Sequence, residues 1–214
     1  LIKLCKLTGV INWEIEIPNE KIVPLRDSRG VGLEDIRRLF KATEDKPYKI
    51  AIRDRAILHL LFDRGLRRAE VIKLDVEDVN IADASINIMG KGRFQKERLS
   101  LASKTIGALK EWLNVRGSNP GPLFTNFDHA GKGCRLTGAA VYYIVRNLGR
   151  QINLQVRPHA LRHSAITIAL DQSNGNVRAV QKFSRHLDIK YLMIYDDNRT
   201  DMGSDITQRL SQAV

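Results

Sequence analysis

The sequence predicts a mainly α-helical domain carrying one small three-stranded antiparallel sheet, an α+β arrangement. Two patterns carry that prediction. Apolar residues recur at helical spacing through most of the 214 residues, and between Val79 and Leu101 the period falls to two. Composition supports it: 43% hydrophobic and 28% charged residues suit a globular chain with material for a core.

The elements follow in order. Pro18, Pro24 and Arg26 to Gly30 read as extended connector. After Gly32, the spacing of Leu33, Ile36, Leu39 and Phe40 predicts a helix. A second is expected from about Ala51 to Asp63, with Gly65 placed to end it because glycine enters the left-handed region without penalty. Val79 and Ile81, Ile86 and Ile88, then Leu99 and Leu101 alternate with polar residues as three strands. Gly90, Lys91 and Gly92 lie in the turn between the last two. Ser103 is expected to cap a helix that carries Ile106, Leu109 and Leu113 and stops at Gly117. Thr137 is expected to cap another, carrying Val141, Ile144, Val145 and Leu148. Pro158 opens a helix reaching Leu170, since proline suits a first helical turn. A shorter helix near Asn176 to Arg185 and one around Tyr191 complete the body.

Charge narrows the class of partner. A net charge of +11 and a pI near 9.9 point to a polyanion. Aromatics at 6% are too sparse for a platform that stacks single-stranded bases, so the backbone of a duplex is the better fit. No stretch approaches the run of about 18 apolar residues that a membrane helix needs. Two cysteines, Cys5 and Cys134, lie far apart and outside any metal spacing, which suits a reducing cytoplasm.

Chemistry concentrates at a few positions. In the helix from Pro158, the residues Leu161, Ala165 and Ile168 share one arc at about 100° per residue, and His159, Arg162 and His163 share the opposite one. Two histidines four apart suggest a zinc helix, but Ala160 stands where that motif needs its glutamate. In Gly65-Leu66-Arg67-Arg68-Ala69-Glu70, the arginine follows a glycine turn. Glu70, one helical turn on, is placed to fix the Arg67 guanidinium by a charge-assisted bond. A guanidinium so held presents a planar fork to two phosphate oxygens. Lys91 sits between two glycines at a hairpin tip, with Lys96 as a neighbour of the same type. Near the end, His186 is followed nine residues later by Tyr195, with Tyr191 between them. A tyrosine nucleophile, with a pKa of roughly 10, needs a base or cations nearby to favour the phenolate.

Taken together, Gly65-Leu66-Arg67-x-x-Glu70, Gly90-Lys91-Gly92 with Glu97-Arg98, His159-x-x-Arg162-His163 and His186 with Tyr195 resemble the boxes of the tyrosine recombinase (phage integrase) family, in order, across most of residues 32 to 196. Arg185 departs from the glycine often found before the last histidine, and Arg68 adds a cation beside Arg67. The resemblance implies the integrase catalytic-domain fold and a site-specific recombinase acting through a 3′-phosphotyrosyl intermediate. Tyr195 would be the nucleophile, and Arg67 and Arg162 would hold the non-bridging oxygens. Lys91 would be the general acid, His159 an acid/base or phosphate ligand, and His186 a phosphate donor, with Glu70 behind Arg67. No metal or other cofactor is implied, because one ester is exchanged for another. The implied partner is double-stranded DNA, with a homotetramer in the synaptic complex and a monomer when free. A type IB topoisomerase shares the chemistry, and a catalytically silent DNA-binding relative would share the fold.

The expected division is a linker over residues 1–30, a catalytic domain over 31–196 and a tail over 197–214 with a short helix. The start at Leu1 suggests a fragment, and Leu1 to Ile11 suit the last helical turn of an upstream DNA-binding domain. In the tail, Ile206, Leu210 and Val214 recur every four residues. Docking of that helix on a neighbouring subunit and folding back on its own domain both remain open.

Overall fold

The computed structural model of the chain describes residues 5, 7–10, 12, 30–90, 92, 94–127, 131–196, 207 and 210–212. Among them are eight α-helices and one three-stranded sheet. Helix α1 (Leu33–Lys41) buries Ile36 and Leu39, with Glu34 and Asp35 in its first turn and Arg38 and Lys41 in its last, the polarity the helix dipole favours. Helix α2 (Tyr48–Phe62) begins three residues before the expected start, directly behind Pro47, and is buried along much of its length. Gly65 has φ 59°, the left-handed turn expected of it, and the short helix α3 (Arg68–Val71) follows.

The sheet has the order β1-β2-β3 and is antiparallel throughout. Strand β1 (Val79–Asn80) is shorter than the alternation suggested, because Ile81 already belongs to the turn. Strands β2 (Ser85–Met89) and β3 (Lys96–Ser100) pair Ile86 with Leu99 and Ile88 with Glu97. Helix α4 (Ser103–Arg116) corrects one expectation: its cap is Ala102, and Ser103 is already helical and makes no capping bond. Ala102 is extended and its carbonyl accepts the amide of Ile106, so the helix starts without a side-chain acceptor. Gly117, at φ 90°, ends it as expected. In helix α5 (Gly138–Gln151) the Thr137 hydroxyl accepts the Ala140 amide at 3.1 Å, the cap read from the sequence. Helices α6 (Pro158–Gln172), α7 (Val177–Ser184) and α8 (Lys190–Asp196) close the described body.

One large core joins α1 to α6 and the inner face of the sheet, around Leu60, Ile86, Val145 and Trp112. The Trp112 indole donates to the Leu123 carbonyl at 2.8 Å, so its one polar atom is satisfied inside the apolar cluster. A second, smaller cluster binds α6, α7 and α8 through Ile166, Leu170, Val180, Leu192 and the ring of Tyr195. That cluster holds the C-terminal part of the body against α6, and it places Tyr195 beside the polar residues of that helix. No described helix is long and apolar enough to cross a membrane.

Candidate active site

Three turns of backbone assemble the site. The first is the bend from Gly65 into α3. The Arg67 amide donates to Glu70 Oε2 at 2.7 Å, and the Arg67 guanidinium donates to Glu70 Oε1 at 3.0 Å. The carboxylate therefore caps the helix and fixes the side chain at its start. Glu70 is 3% exposed, whereas the Arg67 side chain keeps about a third of its surface open. A buried carboxylate thus holds a reachable guanidinium.

The second is the N-terminal half of α6. His159 is exposed, His163 half-buried and Arg162 only 2% exposed. The polar arc of α6 is therefore not a solvated stripe. Arg162 donates to the carbonyls of Gly65 and Ser184, one before α3 and the other at the end of α7. Burial followed by repulsion from Arg67 and Arg185 lowers its pKa to about 10, which leaves it charged at neutral pH. Three guanidinium groups influence one another here, and Glu70 is the largest attraction that offsets them.

The third is the end of α7. Arg185 closes the helix in the left-handed conformation, with φ 57° and ψ 39°, and His186 follows. The Ser184 hydroxyl lies 3.0 Å from His186 Nδ1, and His186 Nε2 lies 3.5 Å from Arg162 Nη2. A guanidinium only donates, so the geometry assigns the Nε2 lone pair to Arg162 and the proton to Nδ1, facing Ser184. Burial first, and then Arg162 and Arg67, lower the His186 pKa from 6.5 to about 4. His186 is therefore neutral at pH 7. The unfolded chain takes up a proton near pH 6.5 that the folded chain resists. This contribution to stability is complete above pH 6.5 and is lost as the pH falls toward 4. The melting temperature should decline over that window, and His186→Asn should flatten the decline. An unaltered slope in that variant would remove His186 as its cause.

Tyr195, 8% exposed, faces these groups through its ring. Its centroid is 5.0 Å from His163 and 6.2 Å from His186, the latter stacked at 29°. His163 in turn meets His159 edge-on at 4.2 Å. Arg67, His159 and Arg162, with Arg68, Tyr142 and Arg157, line an open cavity of about 380 Å³. Through Tyr142 and Arg157 it adjoins a second cavity of about 300 Å³ that also presents Arg146 and Arg150. The surface beside the site is strongly cationic.

Of the residues singled out in the sequence, Arg67, Glu70, His159, Arg162, His186 and Tyr195 converge here. Lys91 lies outside the described residues. Lys96 is engaged by Asp78 in the 3-10 turn Val76–Asp78. Sequence reasoning missed Ser184, whose carbonyl and hydroxyl serve Arg162 and His186, and Arg64, which donates to the Phe183 carbonyl at 3.1 Å. A serine at the end of a helix carries no signal that separates it from any other. Among the described residues no three His, Cys, Asp or Glu side chains gather as a metal set.

Similarity to known proteins places the chain in the class of tyrosine-type DNA recombinases and gives its family. Residues 31–202 match the phage integrase family. The chain is 37% identical to tyrosine recombinase slr0733 of Synechocystis sp. over 216 residues, which is 99% of this chain and 69% of that protein. It is 32% identical to tyrosine recombinase XerC of Vibrio vulnificus over 169 residues, covering 78% of this chain and 52% of the relative. Among solved structures, the XerH site-specific recombinase bound to difH substrate aligns with a TM-score of 0.65 at 26% identity, over 78% of this chain and 50% of that one. The chain belongs to the phage integrase family of tyrosine recombinases.

Proposed function

We propose that this chain cleaves and rejoins double-stranded DNA at specific sites through a covalent bond between Tyr195 and a 3′-phosphate. The observation that carries this reading is the convergence of Tyr195 with His163 and His186 beside two guanidinium groups, Arg162 and Arg67, both of which line the cavity. The Tyr195 oxygen attacks phosphorus as its proton departs. The bond to the 5′-oxygen breaks, and that oxygen leaves with a proton as a hydroxyl. Arg67 and Arg162 stabilise the charge gathering on the non-bridging oxygens. His159, at the exposed start of α6, assists as acid/base or phosphate ligand, and Lys91 delivers the leaving proton. His186 donates to the phosphate once the anion favours a proton on Nε2. The free 5′-hydroxyl then attacks the phosphotyrosine in reverse, so ester replaces ester and no energy source is required.

The cationic track through Arg157, Arg146 and Arg150 supports contact with the phosphates of a duplex. The solved relative XerH bound to its difH substrate supports the same partner. In the same reading residues 31–196 are the catalytic domain, residues 1–30 lead into it, and the tail over 197–214 joins four copies on two duplexes in the cytoplasm.

The test uses a pool of nicked duplexes randomised around the nick, so that the short strand diffuses away after cleavage and traps the intermediate. A covalent protein–DNA adduct should form in EDTA as readily as in magnesium, and peptide mapping should locate it on Tyr195. An adduct that requires the metal, or none at all, would refute the reading.

A further inference from the structure

The reading above leaves the buried cation next to His186, Arg185, without a task. Arg185 stands where the backbone is left-handed, a conformation that glycine adopts freely and an L residue does not. Its side chain runs into the interior and donates to Glu70 Oε2 at 2.6 Å, with both side chains at most 4% exposed. The other terminal nitrogen, Nη1, is buried with no hydrogen-bond partner among the described residues. A strained turn, a desolvated guanidinium and an unmet donor are all unfavourable, and three like-charged neighbours lie nearby. The contact that offsets them is the Glu70 carboxylate, the same group that fixes Arg67.

We infer that Arg185 is a positioning residue: by sharing the Glu70 carboxylate with Arg67, it holds the Ser184–His186 segment in register with the Arg67 turn. The proposal rests on the cleavage reading and deepens it. Its reach follows from chain order. One residue before Arg185, the Ser184 carbonyl receives Arg162 and the Ser184 hydroxyl meets His186; one residue after it stands His186 itself. Fixing Arg185 therefore fixes the acceptor of one guanidinium and the orientation of one imidazole. Glu70 also fixes the Arg67 guanidinium, which lines the cavity. The Arg67 turn and the His186 segment thus meet at a single carboxylate, and Arg162 bridges the same two segments through the Gly65 and Ser184 carbonyls. Arg185, unlike Arg67 and Arg162, is not among the residues that line the cavity of the site, and its side chain is spent on Glu70.

The experiment takes duplexes that the wild-type chain captures from the randomised pool. It measures the single-turnover rate of adduct formation, the DNA dissociation constant and the pH profile for Arg185→Gly and Arg185→Lys. Glycine suits the left-handed turn, so Arg185→Gly removes the tie and relieves the backbone together. The covalent step should slow roughly ten- to a hundredfold through misplacement of the reacting groups, with DNA binding within about twofold of wild type. The acid limb of the rate profile should move upward, because Arg185 is one of the charges holding the His186 pKa down. Arg185→Lys keeps one donor and should recover part of the rate. An Arg185→Gly variant with wild-type rate and pH profile would reduce Arg185 to a turn residue, and a loss confined to DNA binding would make it a phosphate contact; either outcome overturns the proposal. If the glycine variant fails to fold, the lysine variant decides: partial cleavage supports the tie, and an unimpaired rate and pH profile refute it. A wild-type chain that forms no adduct brings down the functional reading and this proposal with it, whereas an adduct unaffected by Arg185→Gly brings down the proposal alone.

Discussion

Tyr195→Phe should remove the covalent adduct altogether, a loss of at least roughly a thousandfold that takes the product below detection. The substitution deletes one hydroxyl and keeps the ring, which packs among Ile166, Leu170, Val180 and Leu192. Folding should therefore change by no more than about 1 kcal/mol, the net worth of a single hydrogen bond. DNA binding should persist, since Arg67, Arg157 and their neighbours are untouched. The informative comparison is Tyr191→Phe. Tyr191 lies on the same helix but is 60% exposed, outside the cluster that presses Tyr195 toward His163 and His186. Its loss should leave the adduct intact. An adduct that survives Tyr195→Phe and disappears with Tyr191→Phe would transfer the chemistry to the exposed ring and undo the assignment.

The contrast between those tyrosines shows what the sequence contains. Spacing from His186 favours Tyr195, but periodicity carries no sign of which ring is enclosed, because α8 spans only seven residues. Long amphipathic elements were legible for a physical reason. The apolar positions of α1 and α5 recur at the period that buries one face, and Thr137 can reach the amide it caps. The Arg67–Glu70 pair was legible because three residues are one helical turn. Ser103 was misread as a cap because a serine near a helix start satisfies the pattern whether or not its side chain turns inward. Arg162 marks the deeper limit. It lies on the polar arc of α6, yet carbonyls 97 and 22 residues away in the chain accept its protons inside the protein. A partner at that distance leaves no periodic trace. The same holds for Arg185, visible in the sequence as a departure from glycine and intelligible only once Glu70 is found beside it.

Glu70 is where stability and chemistry meet, and its removal should damage both. Glu70→Ala leaves the Arg185 guanidinium buried without its counter-charge and frees Arg67 from its anchor. Breaking one side of a buried ion pair in this way should destabilise the fold by about 3 kcal/mol, readable as a lowered denaturant midpoint. The cleavage rate should fall further than loss of folded protein explains, because a loose Arg67 no longer meets the developing charge in a fixed geometry. Pairing the substitutions separates these effects. Glu70→Leu with Arg185→Met replaces both buried charges by apolar side chains of similar reach, so no unpaired ion remains. The double variant should recover most of the lost stability. It should not recover cleavage, since the carboxylate that aims Arg67 is still absent. Recovery of the rate along with the stability would mean that Glu70 serves only the packing of α3 against α7. Recovery of neither would mean that the carboxylate holds this region through its bond to the Arg67 amide rather than through its pair with Arg185.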